Sequence, residues 1–207
     1  MILIALTGGI GSGKSRAAAI LEEFGAHSIS ADTLAREVLE RGEDGYNEVV
    51  AYFGDEILNE GQIDRKKLAE IVFNDSNQLE VLESITHPLI RVKFVSETRG
   101  LPENSVVVYE IPLLAESISR QKQLDFDHVL VLQSNSEIRV SRLIERGFSA
   151  KEAQLRIANQ HSDEQRKEIA THLINNEGSL EELVSALSQW WSKFISPEIA
   201  KWSSVDR

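Results

Sequence analysis

Eight consecutive residues, Gly8-Gly9-Ile10-Gly11-Ser12-Gly13-Lys14-Ser15, constrain this chain more than any other stretch. They follow the apolar run 2–6 and precede the helix-favouring stretch 17–24. This is the pattern G-x-x-x-x-G-K-[ST] in the strand–loop–helix setting that gives it meaning. Glycines let the backbone turn its N–H groups inward, where they cradle phosphate oxygens. The start of the following helix adds unpaired donors and positive dipole. Lys14 suits the β- and γ-phosphates, and the Ser15 hydroxyl suits Mg²⁺. A plain Gly-rich turn needs neither four glycines nor Lys-Ser at this spacing.

The remaining 199 of the 207 residues narrow the setting. Apolar residues make up 42% and charged residues 27%, as in a soluble globular protein. No apolar run is long enough to cross a bilayer, and the first strand lacks a basic leader, so no signal peptide is expected. There is no cysteine, which excludes disulfides and thiolate metal sites and fits a cytoplasmic location. The net charge of −11 argues against nucleic acid as the main partner.

Strands expected at about 2–6, 26–30, 105–111, 128–132 and 172–175 alternate with helices, which points to a five-stranded parallel α/β sheet. Its carboxyl ends should form the ligand crevice. Two helical excursions interrupt the core, at about 33–101 and 136–165. The first holds helices expected at 46–53, 65–73, 79–86 and 89–97, with Asp64 as one N-cap and Pro88 opening the last. Ser149…Glu152 and Ser179…Glu182 read as capping boxes, and the tail after Ser196 reads as loosely held.

Several side chains suit phosphoryl transfer. Asp32 follows the second strand and could take a proton from an attacking hydroxyl, or cap a helix at 34–40. Glu110 ends the third strand, where a carboxylate holds Mg²⁺ or is simply a strand-end charge. Arg139, Arg142 and Arg146 share one helical face. On a mobile flap Arg142 and Arg146 above all would stabilise the transferring phosphoryl group; otherwise the face is solvated and paired with Glu137 and Glu145. His87 alone signals little.

At this point the chain resembles the dephospho-coenzyme A kinase family over nearly its whole length. The resemblance lies in 6–15, Ala31-Asp32, His87-Pro88, the segment 111–116, Arg142…Arg146 with Arg156 and Gln160, and 174–178. It implies a P-loop kinase fold with a nucleotide-binding core (1–32, 102–135, 166–207), a helical coenzyme A-binding domain (33–101) and a lid (136–165). It implies ATP and Mg²⁺ as cofactors and dephospho-coenzyme A as acceptor, phosphorylated at its ribose 3′-hydroxyl. A monomer or small homo-oligomer is expected, with no membrane partner. Asp32, Lys14, Arg142 and Arg146 take the catalytic positions. Gly9, Ile10, Gly11, Ser12, Gly13, Lys14, Ser15, Arg16 and Asn176 bind nucleotide. Thr7, Asp32, His87, Leu113 and Leu114 bind the acceptor, and Ser15 and Glu110 the metal. Three residues depart from the family pattern: Ser30, Glu110 and Thr171 each stand where Asp is usual. A nucleoside or nucleoside-monophosphate kinase is the nearest alternative. A nucleotide-dependent switch is the more distant one, and it lacks the guanine-reading Asn-Lys-x-Asp motif.

Overall fold

The structure, a computed structural model, describes residues 1–112, 114 and 125–205. The chain runs β1 (Ile2–Gly8), α1 (Lys14–Glu23), β2 (His27–Ser30), α2 (Ala31–Glu37), α3 (Asp44–Phe53), β3 (Leu58–Asn59), β4 (Gln62–Ile63), α4 (Arg65–Asn74) and α5 (Ser76–Arg99). It continues through β5 (Val106–Glu110), β6 (His128–Gln133), α6 (Ser136–Glu145), α7 (Ala150–Ala158), α8 (Asp163–Glu168), β7 (His172–Asn175), α9 (Leu180–Trp190) and α10 (Ser196–Val205). A five-residue π-helical turn, Trp191–Ile195, joins the last two helices.

Two compact units divide the chain: Met1–Ile29 with Pro102–Arg207, and Ser30–Leu101. Residues 136–165 cluster within the first unit.

The first unit is built on a five-stranded parallel sheet in the order β2-β5-β1-β6-β7. The central strand β1 pairs with β5 through Ile4↔Val108 and with β6 through Leu6↔Leu130. Ile4, Leu6, Val108, Leu130 and Leu132 are buried with Ile20 and Leu21 of α1 and Leu183 and Leu187 of α9. Each such side chain contributes about 1.5–3 kcal/mol when fully removed from water. This burial holds β1 mid-sheet, so the loop leaving it opens at the centre of the carboxyl edge.

Helix α10 corrects the expectation of a loose tail. Ile199 and Trp202 pack against the main core, and the apolar stripe of α9 carries on through the π-helical turn. Where β6 and β7 begin, His128 Nδ1 lies 3.1 Å from His172 Nε2. The Trp190 ring meets both imidazoles edge-on. His128 Nε2 is also 3.3 Å from Glu198 Oε1, outside hydrogen-bond geometry. Burial lowers the His172 pKa, and His128 and Lys193 push it the same way. The folded state therefore resists the proton that the unfolded chain accepts below about pH 6.5. Stability from this site is intact above that value and declines as pH falls toward the lowered folded pKa. His87, also lowered by burial, adds to the trend. Melting temperature should drop on acidification from pH 7 to 5, and His172→Gln should flatten that slope in a thermal-melt series.

The second unit has its own small core of Val49, Phe53, Ile57 and Leu68. Helix α4 starts as expected: the Asp64 carboxylate accepts from the Lys66 and Lys67 N–H groups. The two helices expected at 79–86 and 89–97 are one, α5, with Pro88 inside it. Pro88 is exposed, and so is Ser84, whose carbonyl loses its helical partner to the proline. Buried Thr86 and Phe94 hold the helix together on either side of it. The hairpin β3–β4 was not expected from sequence. Its turn residues Glu60 (φ 51°) and Gly61 (φ 75°) both sit in the left-handed region, as a two-residue turn of type I′ demands. The Tyr46 hydroxyl pins that turn by donating to the Gly61 carbonyl at 2.8 Å.

Candidate active site

The loop between β1 and α1 gathers most of the residues singled out in the sequence. Gly13 has φ 98°, a left-handed angle that only glycine takes at little cost, and a Cβ there would run into the Asn176 amide. Gly9 is needed for space: a Cβ would meet the Arg139 guanidinium. The loop thus presses tightly against side chains from other elements. Lys14 opens α1, and its Nζ curls back to donate to the Gly8 carbonyl at 2.8 Å and the Gly9 carbonyl at 3.3 Å. The ammonium is therefore held over the loop. Ser15 and Arg16 follow in the first turn of α1, both exposed.

Behind the loop lies a hydrogen-bonded wall. Asn176, just past β7, is buried; its Nδ2 donates to the Ser12 carbonyl at 2.7 Å and its N–H to the Gln133 carbonyl at 2.8 Å. The Ser134 hydroxyl donates to the Asn176 carbonyl at 2.6 Å. The Arg142 guanidinium donates to that carbonyl at 3.0 Å, to Ser134 Oγ at 3.1 Å and to the Gly11 carbonyl at 3.3 Å. Arg139 is buried, and its Nε donates to the Ile10 carbonyl at 2.9 Å. Burial lowers its pKa, the neighbouring Asp163 carboxylate opposes this, and the Arg166 charge adds to the lowering. Arg146, the C-cap residue of α6, is exposed.

The three arginines thus have different surroundings, although sequence put them on one face. The ion partner of Arg139 is Asp163, 24 residues on, rather than Glu137 or Glu145. Arg156 packs its guanidinium 4.7 Å from the centre of the Phe148 ring. Asp163, Gln160 and Ser134 all belong to the wall; Gln160 lies in the stretch that carries the family resemblance, whereas sequence gave Asp163 and Ser134 no site role. Their side chains converge only through tertiary packing, so no local pattern marks them.

Thr7 Oγ1 and Ser12 Oγ are buried and have no hydrogen-bond partner among the described residues. Such orphaned hydroxyls beside the loop supply hydrogen-bonding capacity that a ligand can use. Glu110 ends β5, half-buried, and accepts from the Ser28 hydroxyl at 3.4 Å. Leu114 is buried in the first unit, while Leu113 lies outside the described residues. No cluster of three or more His, Asp or Glu able to hold a metal occurs among the described residues. A hydroxyl and a carboxylate still suit Mg²⁺, which takes hard oxygen ligands and keeps several waters and phosphate oxygens.

Asp32 and His87 belong to the second unit. Asp32 is the second residue of α2 and exposed. The cap of that helix is Ser30, whose hydroxyl accepts from the Thr33 N–H at 3.4 Å. The helix begins at Ala31, three residues earlier than expected, and Asp32 does not serve as its cap. His87 lies mid-way along α5, half-buried.

A parallel sheet with a Gly-rich loop and lysine at its central strand defines the P-loop NTPase fold. The shikimate kinase of Acinetobacter baumannii shares that fold, at TM-score 0.56 and 12% identity over 95% of this chain and 94% of that one. The sequence profile described as CoaE: Dephospho-CoA kinase matches residues 2–182. The dephospho-CoA kinase of Geobacillus kaustophilus is 42% identical over 197 residues, 91% of this chain and 96% of that protein. The crystal structure of TT1252 from Thermus thermophilus superposes at TM-score 0.81 with 34% identity, covering 93% of this chain and 97% of that one. The chain belongs to the dephospho-CoA kinase family.

Proposed function

We propose that this chain transfers the γ-phosphate of ATP to the ribose 3′-hydroxyl of dephospho-coenzyme A, yielding coenzyme A and ADP. The observation that carries the reading is the loop with Lys14 poised on its carbonyls, in a chain that matches the family almost end to end. Lys14 and the loop N–H groups not bonded within the protein bind the triphosphate; the Ile10 N–H is taken by Gln160. Ser15 and Glu110 would hold Mg²⁺, with Glu110 one methylene longer than the usual Asp. When bound, the ion would offset charge on the phosphate oxygens. Asp32 orients the acceptor hydroxyl and takes its proton as the new O–P bond forms and the bond from the γ-phosphorus to the β–γ bridging oxygen breaks.

Residues 33–101 bind the acceptor, with Thr7, His87, Leu113 and Leu114 among its contacts. Residues 136–165 act as the lid. Arg142, already bonded to the Gly11 carbonyl, and Arg146 offset charge on the transferring group when the lid excludes water. Arg16 and Asn176 complete the nucleotide site. The same reading puts the enzyme in the cytoplasm, as a monomer or small homo-oligomer with no nucleic-acid or membrane partner. No helix among the described residues is long and apolar enough to cross a membrane.

An acceptor panel tests the substrate. ADP release from Mg²⁺-ATP should require dephospho-coenzyme A and stay at background with AMP, CMP or simple nucleosides. Equal release with one of the latter would replace this acceptor.

A further inference from the structure

We propose that Asp163, Arg139 and Gln160 are positioning residues that hold the phosphate loop in its binding shape by clamping both backbone polar groups of Ile10. The inference rests on the nucleotide reading above and assigns these side chains no contact with substrate.

The Ile10 N–H donates to Gln160 Oε1 at 2.8 Å, and the Ile10 carbonyl accepts from Arg139 Nε at 2.9 Å. Arg139 Nη2 lies 3.5 Å from the same Gln160 oxygen, which ties the two clamps together. Arg139 Nη1 is 3.4 Å from Asp163 Oδ1, and Arg166 Nη2 reaches that oxygen at 2.7 Å. Both guanidinium side chains are nearly sealed from water, at 3% and 5% exposure, so this one carboxylate sets the position of two buried cations. The main chain of Arg139 also bounds the loop: a Cβ on Gly11 would come within 2.9 Å of its carbonyl oxygen.

A loop rich in glycine has many conformations to lose, and anion affinity depends on its N–H groups being aimed beforehand. The Gly-rich motif supplies the freedom to bend but nothing that selects one bend. The clamp makes that selection from residues 129 and 150 positions away from Ile10.

Positioning and simple charge predict opposite signs at Asp163. Removing a carboxylate near an anion site strengthens anion binding if only the field matters. If Asp163 holds Arg139 in place, its loss frees the guanidinium, loosens Ile10 and weakens binding.

The full-length chain would be titrated calorimetrically with Mg²⁺-ATP and, separately, with inorganic tripolyphosphate. Asp163→Asn should weaken both ligands by roughly tenfold, since small misplacements of binding groups are costly. The double variant Arg139→Gln/Asp163→Asn should bind no more weakly than Arg139→Gln alone, because both changes break one chain of contacts. If Asp163→Asn fails to fold, Gln160→Leu, which removes only the acceptor for the Ile10 N–H, should show the same loss for both ligands. Unchanged or tighter tripolyphosphate binding by the folded variant, or additive effects in the double variant, would overturn the inference alone. A parent chain that binds neither ligand would overturn the nucleotide reading together with it.

Discussion

Asp32→Asn is expected to lower turnover by about 10²–10⁴-fold, the usual worth of a positioned general base. The substitution keeps the shape of the side chain and removes its capacity to take a proton. It should leave α2 standing, because Ser30 provides the cap. What the helix loses is a first-turn carboxylate, worth about 0.3–1 kcal/mol against the helix dipole. KM for ATP should change little, since binding of the triphosphate is assigned to the loop. Steady-state kinetics with a melting curve separates the two effects. Near-normal turnover in a folded variant would remove Asp32 from the mechanism. The family's usual first Asp is Ser30 here, so no neighbouring carboxylate from that pair can substitute for Asp32.

Lys14→Ala should cut kcat/KM for ATP by about 10²–10³-fold or more, through loss of charge stabilisation at the β- and γ-phosphates. The ammonium rests on the Gly8 and Gly9 carbonyls, so its removal also leaves two loop acceptors without that donor. The structural cost should be modest, about 1 kcal/mol for each exchanged bond. Lys14→Arg should not restore activity. A planar fork fits the space above two carbonyls poorly, and it distributes its charge over several nitrogens. A Lys14→Ala enzyme with parental ATP kinetics would contradict the loop's assigned role.

What sequence reveals depends on how local the cause is. The phosphate loop is legible because one backbone turn and one helix start dictate its residue types. Val106, Val107 and Val108 announce a strand buried on both faces, and all three are buried in β5, which the structure pairs with β1. The capping boxes at Ser149 and Ser179 form as their spacing implies. A third, Ser162 with Gln165, follows the same rule.

Elsewhere tertiary context prevails over local preference. Pro88 reads as a helix start, yet packing on the opposite face carries α5 through it. The hairpin turn has Glu60 where Asn or Asp is the familiar signal, so its left-handed angle leaves little trace in the sequence. The arginine face of α6 is visible as a periodicity. Nothing local says that Arg139 turns inward to Ile10 while Arg146 stays in solvent, because that depends on residues 24 and 129 positions away. The loop could be read from its own residues; of the wall that braces it, Asn176 and Arg142 were named from sequence, but their bonds to the loop were not legible there.

The most direct test follows the phosphoryl group itself. Purified chain, Mg²⁺, ATP labelled in its γ-phosphate and dephospho-coenzyme A are incubated together, and the acceptor is recovered for mass and phosphorus NMR analysis. The account predicts one labelled phosphoryl group, attached at the ribose 3′-oxygen, and one equivalent of ADP. Label released as inorganic phosphate with the acceptor unchanged, or bound at another position, would contradict it.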